Sequence, residues 1–241
     1  MKVFILSPHI DDAAFSLAIT ISRLADNNIP VTIINCFTVT KWTAIPVENK
    51  EIETVSRLRK NEDAQFYKNI SENINIINLD LLDAPLRNGY IFQNQPFQPN
   101  ELELIENLEK LLEQHVEGLL LCPLAIGTHI DHAICREAVT RLYTKLNVIF
   151  FEDLPYAQRI GEDQIRQHVH LLEKQLAVQL LKYTISSKIC KIDKEQAIDV
   201  YESQLNDEIV SEIIAHLNAM EGERIWGEIK SIELLRSILP D

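Results

Sequence analysis

The chain has 241 residues, of which 46% are hydrophobic and 24% are charged, and it is long enough to bury a sizeable core. Its 36 acidic residues outnumber the 23 lysines and arginines and give a formal net charge of -13. This charge argues against nucleic acid or an anionic membrane as the partner, because both are negative themselves. No run approaches the ~18 apolar residues of a membrane span. The four cysteines form no CxxC pair, a pattern typical of reduced, cytoplasmic proteins.

Short apolar runs alternate with longer helical patterns along the chain. The predicted strands are 3–6, 31–39, 74–81, 118–124 and 148–153. The predicted helices are 13–28, 48–70, 100–115 with Asn100 as its N-cap, 131–146, 162–182, 193–205 and 207–219. Strands that alternate with helices indicate an α/β fold, in which a mostly parallel sheet carries helices on both faces.

The topology of this Rossmann-like sheet follows from the preference for right-handed crossovers, which favours the core order 3-2-1-4-5. No repeat, low-complexity segment or linker interrupts the pattern. The sequence therefore predicts a single domain over 1–241, with a helical C-terminal elaboration from about residue 157.

Two clusters of histidine and aspartate follow the first and the fourth predicted strand. One is "PHIDD" at 8–12 and the other is "HIDH" at 129–132. In the order 3-2-1-4-5 these two strands are neighbours at the topological switch point, where ligands bind beyond the carboxyl ends of the strands. The clusters are thus predicted to face each other across one crevice.

Two imidazoles and one carboxylate, from His9, Asp12 and His132, form the kind of ligand set that catalytic zinc sites use. Ferrous iron or another divalent metal suits the same donors. Taken alone, "PHIDD" also reads as a helix N-cap, and "HIDH" as a chance pair of histidines on a helix surface. Their placement after neighbouring strands favours the metal site.

The other polar residues of the clusters are available for catalysis. Asp11 is predicted to act as general base towards a water molecule activated by the metal. His129 either protonates the leaving group or stabilises an oxyanion as an imidazolium. Asp131 is predicted to orient the imidazole of His129.

Both clusters resemble the signatures of the LmbE-like, PIG-L-type zinc-dependent N-deacetylases, which carry Pro-His-x-Asp-Asp after the first strand and His-x-Asp-His later. Arg59 and Glu62 match the family's Arg-x-x-Glu-Asp helix. Weaker similarity extends to the segments 83–87, 151–157, 201–205 and 223–226. The resemblance implies that His9, Asp12 and His132 bind the metal, that Asp11 is the base and that His129 is the acid or oxyanion stabiliser. Ala13 departs from the glutamate of many members, which leaves the substrate open.

Four further residues are candidates for substrate binding, and three of them, Arg59, Trp42 and Tyr156, have a structural alternative. Arg59 contacts a sugar or pairs with Glu62 or Asp63 on its own helix. Arg87 follows the third strand and reaches the same edge of the sheet. Trp42 stacks on a sugar ring or anchors its loop, and Tyr156 lines the pocket or packs under the C-terminal helices. The loops 40–50 and 84–99 are predicted to shape the pocket.

The metal site and the family resemblance together imply a metal-dependent hydrolase that removes an N-acetyl group from a small-molecule amino sugar or a glycoconjugate. Two alternatives stay open at this point. One is hydrolysis of a non-sugar amide or a phosphoester, and the other is a non-catalytic, metabolite-binding protein. The oligomeric state leaves no signature in the sequence.

Overall fold

A computed structural model describes residues 1–240 and contains a seven-stranded sheet in the order β3-β2-β1-β4-β5-β7-β6. The strands are β1 (Lys2–Ser7), β2 (Val31–Asn35), β3 (Asn75–Asn78), β4 (Gly118–Pro123), β5 (Asn147–Phe151), β6 (Leu181–Ser186) and β7 (Gly222–Gly227). The first five strands are parallel, and β7 runs antiparallel to both β5 and β6. The predicted fold class and the core order 3-2-1-4-5 are confirmed.

Helices connect the strands and cover the sheet. They are α1 (Asp12–Asp26), α2 (Ile52–Ile70), α3 (Ala84–Arg87), α4 (Pro99–His115), α5 (Ile130–Arg141), α6 (Tyr156–Leu176), α7 (Lys194–Ile198), α8 (Asp207–Met220) and α9 (Ile229–Ile238). Helix α4 begins one residue before the predicted cap Asn100. Gln98 and Glu101 form a capping box there, and Pro99 takes the first helical position.

The centre of the core lies around β1 and β4, which are buried almost throughout. Their apolar runs, Val3–Leu6 and Leu119–Leu121, have neighbours on both sides in the sheet and helices above and below it. Near-continuous apolar strands are expected where both faces of a parallel sheet are covered. Cys36 and Cys122 are buried, as their apolar surroundings predict.

The C-terminal third differs from the predicted helical elaboration, because β6 and β7 extend the sheet. Helix α6 ends at Leu176, before β6, and most of the predicted helix 193–205 is irregular around the short α7. Strand β7 is hard to recognise in the sequence because it carries Glu223 and Arg224. Both are buried here, with Glu223 paired to Lys194 and Arg224 paired to Glu152.

Glu223 also ties β7 to helix α1, which is interrupted at Leu17 (φ -132°). Its carboxylate accepts hydrogen bonds from the backbone N–H groups of Ile19 and Thr20, at 2.9 and 2.8 Å. A break in a helix frees backbone donors, and a buried donor must find another acceptor. The segment 223–226 therefore closes the structure behind the first motif.

Within residues 1–240 no helix combines the length and the apolar composition that crossing a membrane requires.

Candidate functional site

The two predicted clusters meet at the carboxyl ends of β1 and β4. These strands are parallel neighbours, with Ile5 paired to Leu121, so the chain leaves both of them at the same edge of the sheet. Three donor atoms converge there. Asp12 Oδ2 lies 3.2 Å from His9 Nδ1 and 3.1 Å from His132 Nε2, and the two nitrogens are 3.3 Å apart.

This triangle has the dimensions of a metal site. Ligand atoms about 2.0–2.1 Å from a tetrahedral zinc ion lie about 3.3–3.4 Å from one another. The three separations between His9, Asp12 and His132 come close to that value, and the donors are those that zinc and ferrous iron accept. The alternative reading of "PHIDD" as a helix cap fails, because Asp11 occupies the N-cap position of α1 without a side-chain capping hydrogen bond.

A carboxylate holds each of the two imidazoles from behind. Asp131 Oδ2 lies 3.0 Å from His9 Nε2, and Asp153 Oδ1 lies 2.6 Å from His132 Nδ1. Carboxylates in this position orient metal-binding histidines and select their tautomer. The carboxylate of Asp131 does not contact His129 as predicted, because it reaches across to His9, and only the backbone N–H of Asp131 bonds to His129. Asp153, which follows β5, was not singled out from the sequence.

Arg87 supports this arrangement instead of facing a substrate. Its Nη2 donates to Asp131 Oδ1 at 2.6 Å, and its Nη1 donates to the backbone carbonyl of Leu82. The backbone N–H of Ala84 donates to Asp131 Oδ2 at 2.9 Å. Two of the guanidinium nitrogens of Arg87 are thus bonded within the protein, and Arg87 does not line the cavity described below, so the structure gives no support to its predicted contact with substrate.

The electrostatics around the triangle favour a cation. Burial disfavours charge on His9, but hydrogen bonds with Asp12 and Asp131 raise the pKa of its imidazole to about 9. The carboxylates Asp12 and Asp153 likewise raise the pKa of His132 against the effect of burial. Burial opposes ionisation of Asp12, yet His132 and His9 lower the pKa of its carboxyl. The carboxylates therefore stabilise positive charge at this point.

His129 lies beside the triangle with a defined tautomer. Its Nδ1 accepts a hydrogen bond from the backbone N–H of Asp131 at 3.2 Å, so the proton of a neutral ring lies on Nε2. Burial and the imidazoles of His9 and His132 lower the pKa of His129 to about 2. The structure thus presents a neutral hydrogen-bond donor rather than the predicted imidazolium.

Asp11 lies on the other side of the site and pairs with Arg59. Arg59 Nη2 donates to Asp11 Oδ1 at 3.1 Å, and both side chains are buried. The guanidinium also lies 5.6 Å from the ring centroid of Trp42, within the range of a cation–π contact. Arg59 therefore orients Asp11 and does not form the predicted surface pair with Glu62 or Asp63.

A cavity of about 280 Å³ opens over these groups. Of the predicted substrate residues, Trp42, Arg59 and Tyr156 line it, whereas Arg87 does not. The ring of Tyr156 packs edge-on against His132 and rests on Gly127, where a Cβ atom would lie 2.6 Å from the ring. The lining residues that sequence analysis did not name individually include Phe15, Asp83, Phe92, Arg159, Gln204 and Ile209.

Comparison with known proteins identifies the family of the chain. The family model of the GlcNAc-PI de-N-acetylases, PIG-L, matches residues 4–143, which is more than half of the chain and includes both motifs. The chain belongs to the PIG-L family. This confirms the resemblance predicted from the two clusters.

Individual relatives share less than a third of their residues with this chain. The 2'-N-acetylparomamine deacetylase of Streptomyces fradiae is 29% identical over 230 residues, which cover 89% of this chain and 77% of the relative. Two solved structures share the fold, each with a TM-score of 0.66. The A40926 pseudoaglycone deacetylase Dbv21 is 21% identical, covering 94% of this chain and 96% of that one. A zinc-inhibited form of the teicoplanin deacetylase Orf2 is 19% identical, covering 94% and 97%.

The C-terminal third of this PIG-L member reaches the site through helix α2. Glu62 accepts from the backbone N–H and the hydroxyl of Ser203, at 2.8 and 2.7 Å. Asp63 accepts from the hydroxyl of Tyr201 at 2.7 Å and from the amide of Asn35 at 2.7 Å. The acidic pair after Arg59 therefore anchors the segment 201–205 against the cavity.

Asp63 gives the fold a pH dependence that can be measured. Burial raises the pKa of its carboxyl to about 8, opposed by the bonds from Tyr201 and Asn35, while Asp11 and Arg59 act in opposite directions. Since the folded protein binds this proton more tightly than the unfolded chain, the stabilisation is complete below about pH 4 and disappears as the pH rises through about 8. Over this pH range the unfolding free energy of the wild type should fall more steeply with pH than that of Asp63→Asn. The difference in slope should be roughly 1.4 kcal/mol per pH unit.

Urea denaturation of wild type and variant at several pH values measures this difference. Asp80→Asn is the matched control, because Lys60 lowers the pKa of Asp80 and its stabilisation disappears only as the pH falls. Parallel stability curves for wild type and Asp63→Asn between pH 5 and 8 would contradict the assignment.

Proposed function

We propose that this chain is a metal-dependent N-deacetylase that removes an acetyl group from an amino sugar within a glycoconjugate. The observation that carries the proposal is the triangle of donors from His9, Asp12 and His132, next to a cavity that His9, Asp12, Asp11 and His129 line. The deacetylase names of the relatives in the PIG-L family support the same reaction.

The proposal extends to the organisation and setting of the protein. We propose that residues 1–241 act as one deacetylase domain, which is supported by a single sheet with strands from both ends of the chain. Three buried free cysteines and one half-buried free cysteine support a cytoplasmic location. A polar small molecule suits the cavity better than a polyanion, given the net charge of -13.

His9, Asp12 and His132 would hold the metal, while Asp131 and Asp153 keep the two imidazoles oriented. Zinc is the metal we propose, and ferrous iron suits the same donors. A bound divalent ion supplies Lewis-acid chemistry, which polarises a carbonyl and makes water more acidic.

Asp11 carries out the proton transfers, and His129 stabilises the oxygen that becomes negative. Asp11 accepts a proton from the water that attacks the acetamide carbonyl, and Arg59 keeps the carboxylate in position. The Nε2–H of His129 donates to the oxygen that becomes negative, which is possible because its Nδ1 accepts from Asp131. Asp11 then returns its proton to the departing nitrogen. Water and amide are thereby converted to acetate and a free amine.

The direct test combines metal analysis with a screen for acetate release. We expect about one equivalent of metal per chain, and release of acetate from N-acetylglucosamine glycosides that stops when a chelator removes the metal. The screen includes N-acetyl amino acids and phosphomonoesters. Turnover of either of these without turnover of any amino sugar would contradict the proposed substrate class, and binding without turnover of any compound would contradict catalysis.

Because aromatic side chains line the cavity and remain exposed, we predict a preference for substrates with an apolar group next to the sugar. Trp42 and Phe92 line the cavity yet remain 45% and 54% exposed. We expect Phe92→Ala to lower kcat/KM about 3- to 10-fold for an aryl glycoside of N-acetylglucosamine and to leave the methyl glycoside unaffected. Leu171→Ala is the control, since Leu171 is 64% exposed on α6 and does not line the cavity. Equal losses on both glycosides would contradict the prediction.

A further inference from the structure

Gln204 is a buried polar residue at the cavity that the proposed reaction leaves without a role. Its side chain is 0% exposed and lines the same cavity as His9 and Asp11. Its Oε1 atom has no hydrogen-bond partner among residues 1–240. A buried carbonyl oxygen without a donor is costly, and such atoms in native structures call for an explanation.

The orientation of the Gln204 amide follows from its neighbours. The hydroxyl of Ser203 donates its only proton to Glu62 Oε2 at 2.7 Å. The same hydroxyl oxygen is the partner of Gln204 Nε2, and since its proton is already used, the amide must be the donor. Rotating the amide by half a turn would place two acceptors against each other. The chain from Glu62 through Ser203 therefore leaves Oε1 as the free end of the side chain.

The groups that surround the reacting acetamide narrow the choice of donor for this oxygen. In the proposed function, on which this inference rests, the acetamide nitrogen receives its proton from Asp11 and the carbonyl oxygen faces His129. The remaining donors of an amino sugar are its hydroxyl groups. Of the other polar residues that line the cavity, Arg59 and Arg159 donate but do not accept. Both carboxylate oxygens of Asp83 already accept, from Leu86 and Thr40.

We infer that Gln204 is a specificity-determining residue whose Oε1 accepts a hydrogen bond from one hydroxyl group of the substrate sugar. Sites built to bind a hydroxyl discriminate strongly against analogues that lack it, because the buried acceptor is then left unpaired. Gln204 would thus select among N-acetylated sugars, while the metal-binding groups and Asp11 carry out the reaction on any of them.

The test uses the metal-loaded enzyme with the methyl glycoside of N-acetylglucosamine and its monodeoxy analogues, each of which lacks one hydroxyl. For wild type we expect one analogue to lose about 10- to 100-fold in kcat/KM. Gln204→Met has a similar shape without the acceptor. It should lose about the same factor on the parent glycoside and show no further loss on that one analogue.

Gln65→Met, on the exposed face of α2, controls for the substitution itself, and the melting temperature of each variant controls for folding. A Gln204→Met variant that loses the same factor on every analogue has a structural role or contacts the acetamide, and either result would overturn the inference. So would an unchanged kcat/KM on the parent glycoside.

Binding separates this inference from the proposed function. The Asp11→Asn background removes the proposed base, and calorimetric titration with the same glycosides then measures affinity alone. We expect Gln204→Met to weaken binding of the parent glycoside about 10-fold or more and to leave binding of the one analogue unchanged. If wild type with stoichiometric metal releases no acetate, the proposed reaction is wrong and these affinities alone decide the role of Gln204. Equal affinities for the parent glycoside with and without Gln204→Met in the Asp11→Asn background would overturn the role of Gln204.

Discussion

Replacing Asp11 with asparagine is expected to lower kcat for acetate release by about 10²–10⁴-fold and to leave the metal content unchanged. Asparagine has the shape of aspartate but cannot take a proton from water at neutral pH. Asp11 is not part of the donor triangle, and its Oδ1 accepts from Arg59, a bond that the amide oxygen of asparagine can also accept. The change should therefore remove the base and spare the site.

Metal content by plasma mass spectrometry and acetate release by a coupled assay measure the two effects separately. Asp26→Asn, at the exposed C-terminal end of α1, is the matched control and should behave as wild type in both assays. An Asp11→Asn enzyme with full activity and full metal would contradict the role of Asp11 as base. Loss of the metal would instead make Asp11 a ligand.

Arg59 connects this prediction to the fold. The value of Arg59 to catalysis lies in holding the carboxylate of Asp11 in one orientation. The position of Arg59 depends in turn on α2, which Glu62 and Asp63 fasten to Ser203 and Tyr201. The helix thus orients the base on one side and anchors the Gln204 segment on the other.

The sequence was sufficient for the part of the site that depends on strand order. Apolar strands before each cluster and right-handed crossovers are enough to place His9 and His132 at one sheet edge. The roles of Asp131 and Arg87 could not be predicted in the same way. Neighbours in sequence suggest that Asp131 serves His129, two residues away, but at the start of α5 its side chain points across the crevice to His9.

The missed residues share a different cause, because their partners are distant in sequence. Asp153 holds a histidine 21 residues earlier, and Ser203 meets Glu62 across 141 residues. Strand β7 was missed because its charged residues predict exposure, whereas their buried partners Lys194 and Glu152 are visible only in three dimensions. Local sequence patterns cannot reveal pairs of residues that lie this far apart in the chain.

The second large effect concerns the identity of the third metal ligand. Donor atoms of His9, His129 and His132 also lie within 4.8 Å of one another, so a site of three histidines competes with the set that includes Asp12. The distances favour Asp12, whose Oδ2 is 3.1–3.2 Å from both nitrogens, and one nitrogen of His129 is occupied by the N–H of Asp131. We expect Asp12→Ala to abolish activity and weaken metal binding more than about 100-fold, since even a carboxylate that only orients a ligand contributes 10- to 100-fold.

His129→Ala is the matched comparison, because it removes a residue of the same cavity that donates to the oxyanion in the proposed reaction. Its kcat should fall by about 10²–10³-fold, while its metal affinity stays within a few-fold of wild type. Competition with a metal-binding dye measures both affinities on the same scale. The opposite ranking, with metal lost from His129→Ala and kept by Asp12→Ala, would establish the three-histidine site. Asp12 would then be left to orient the imidazoles, and the oxyanion would need a different donor.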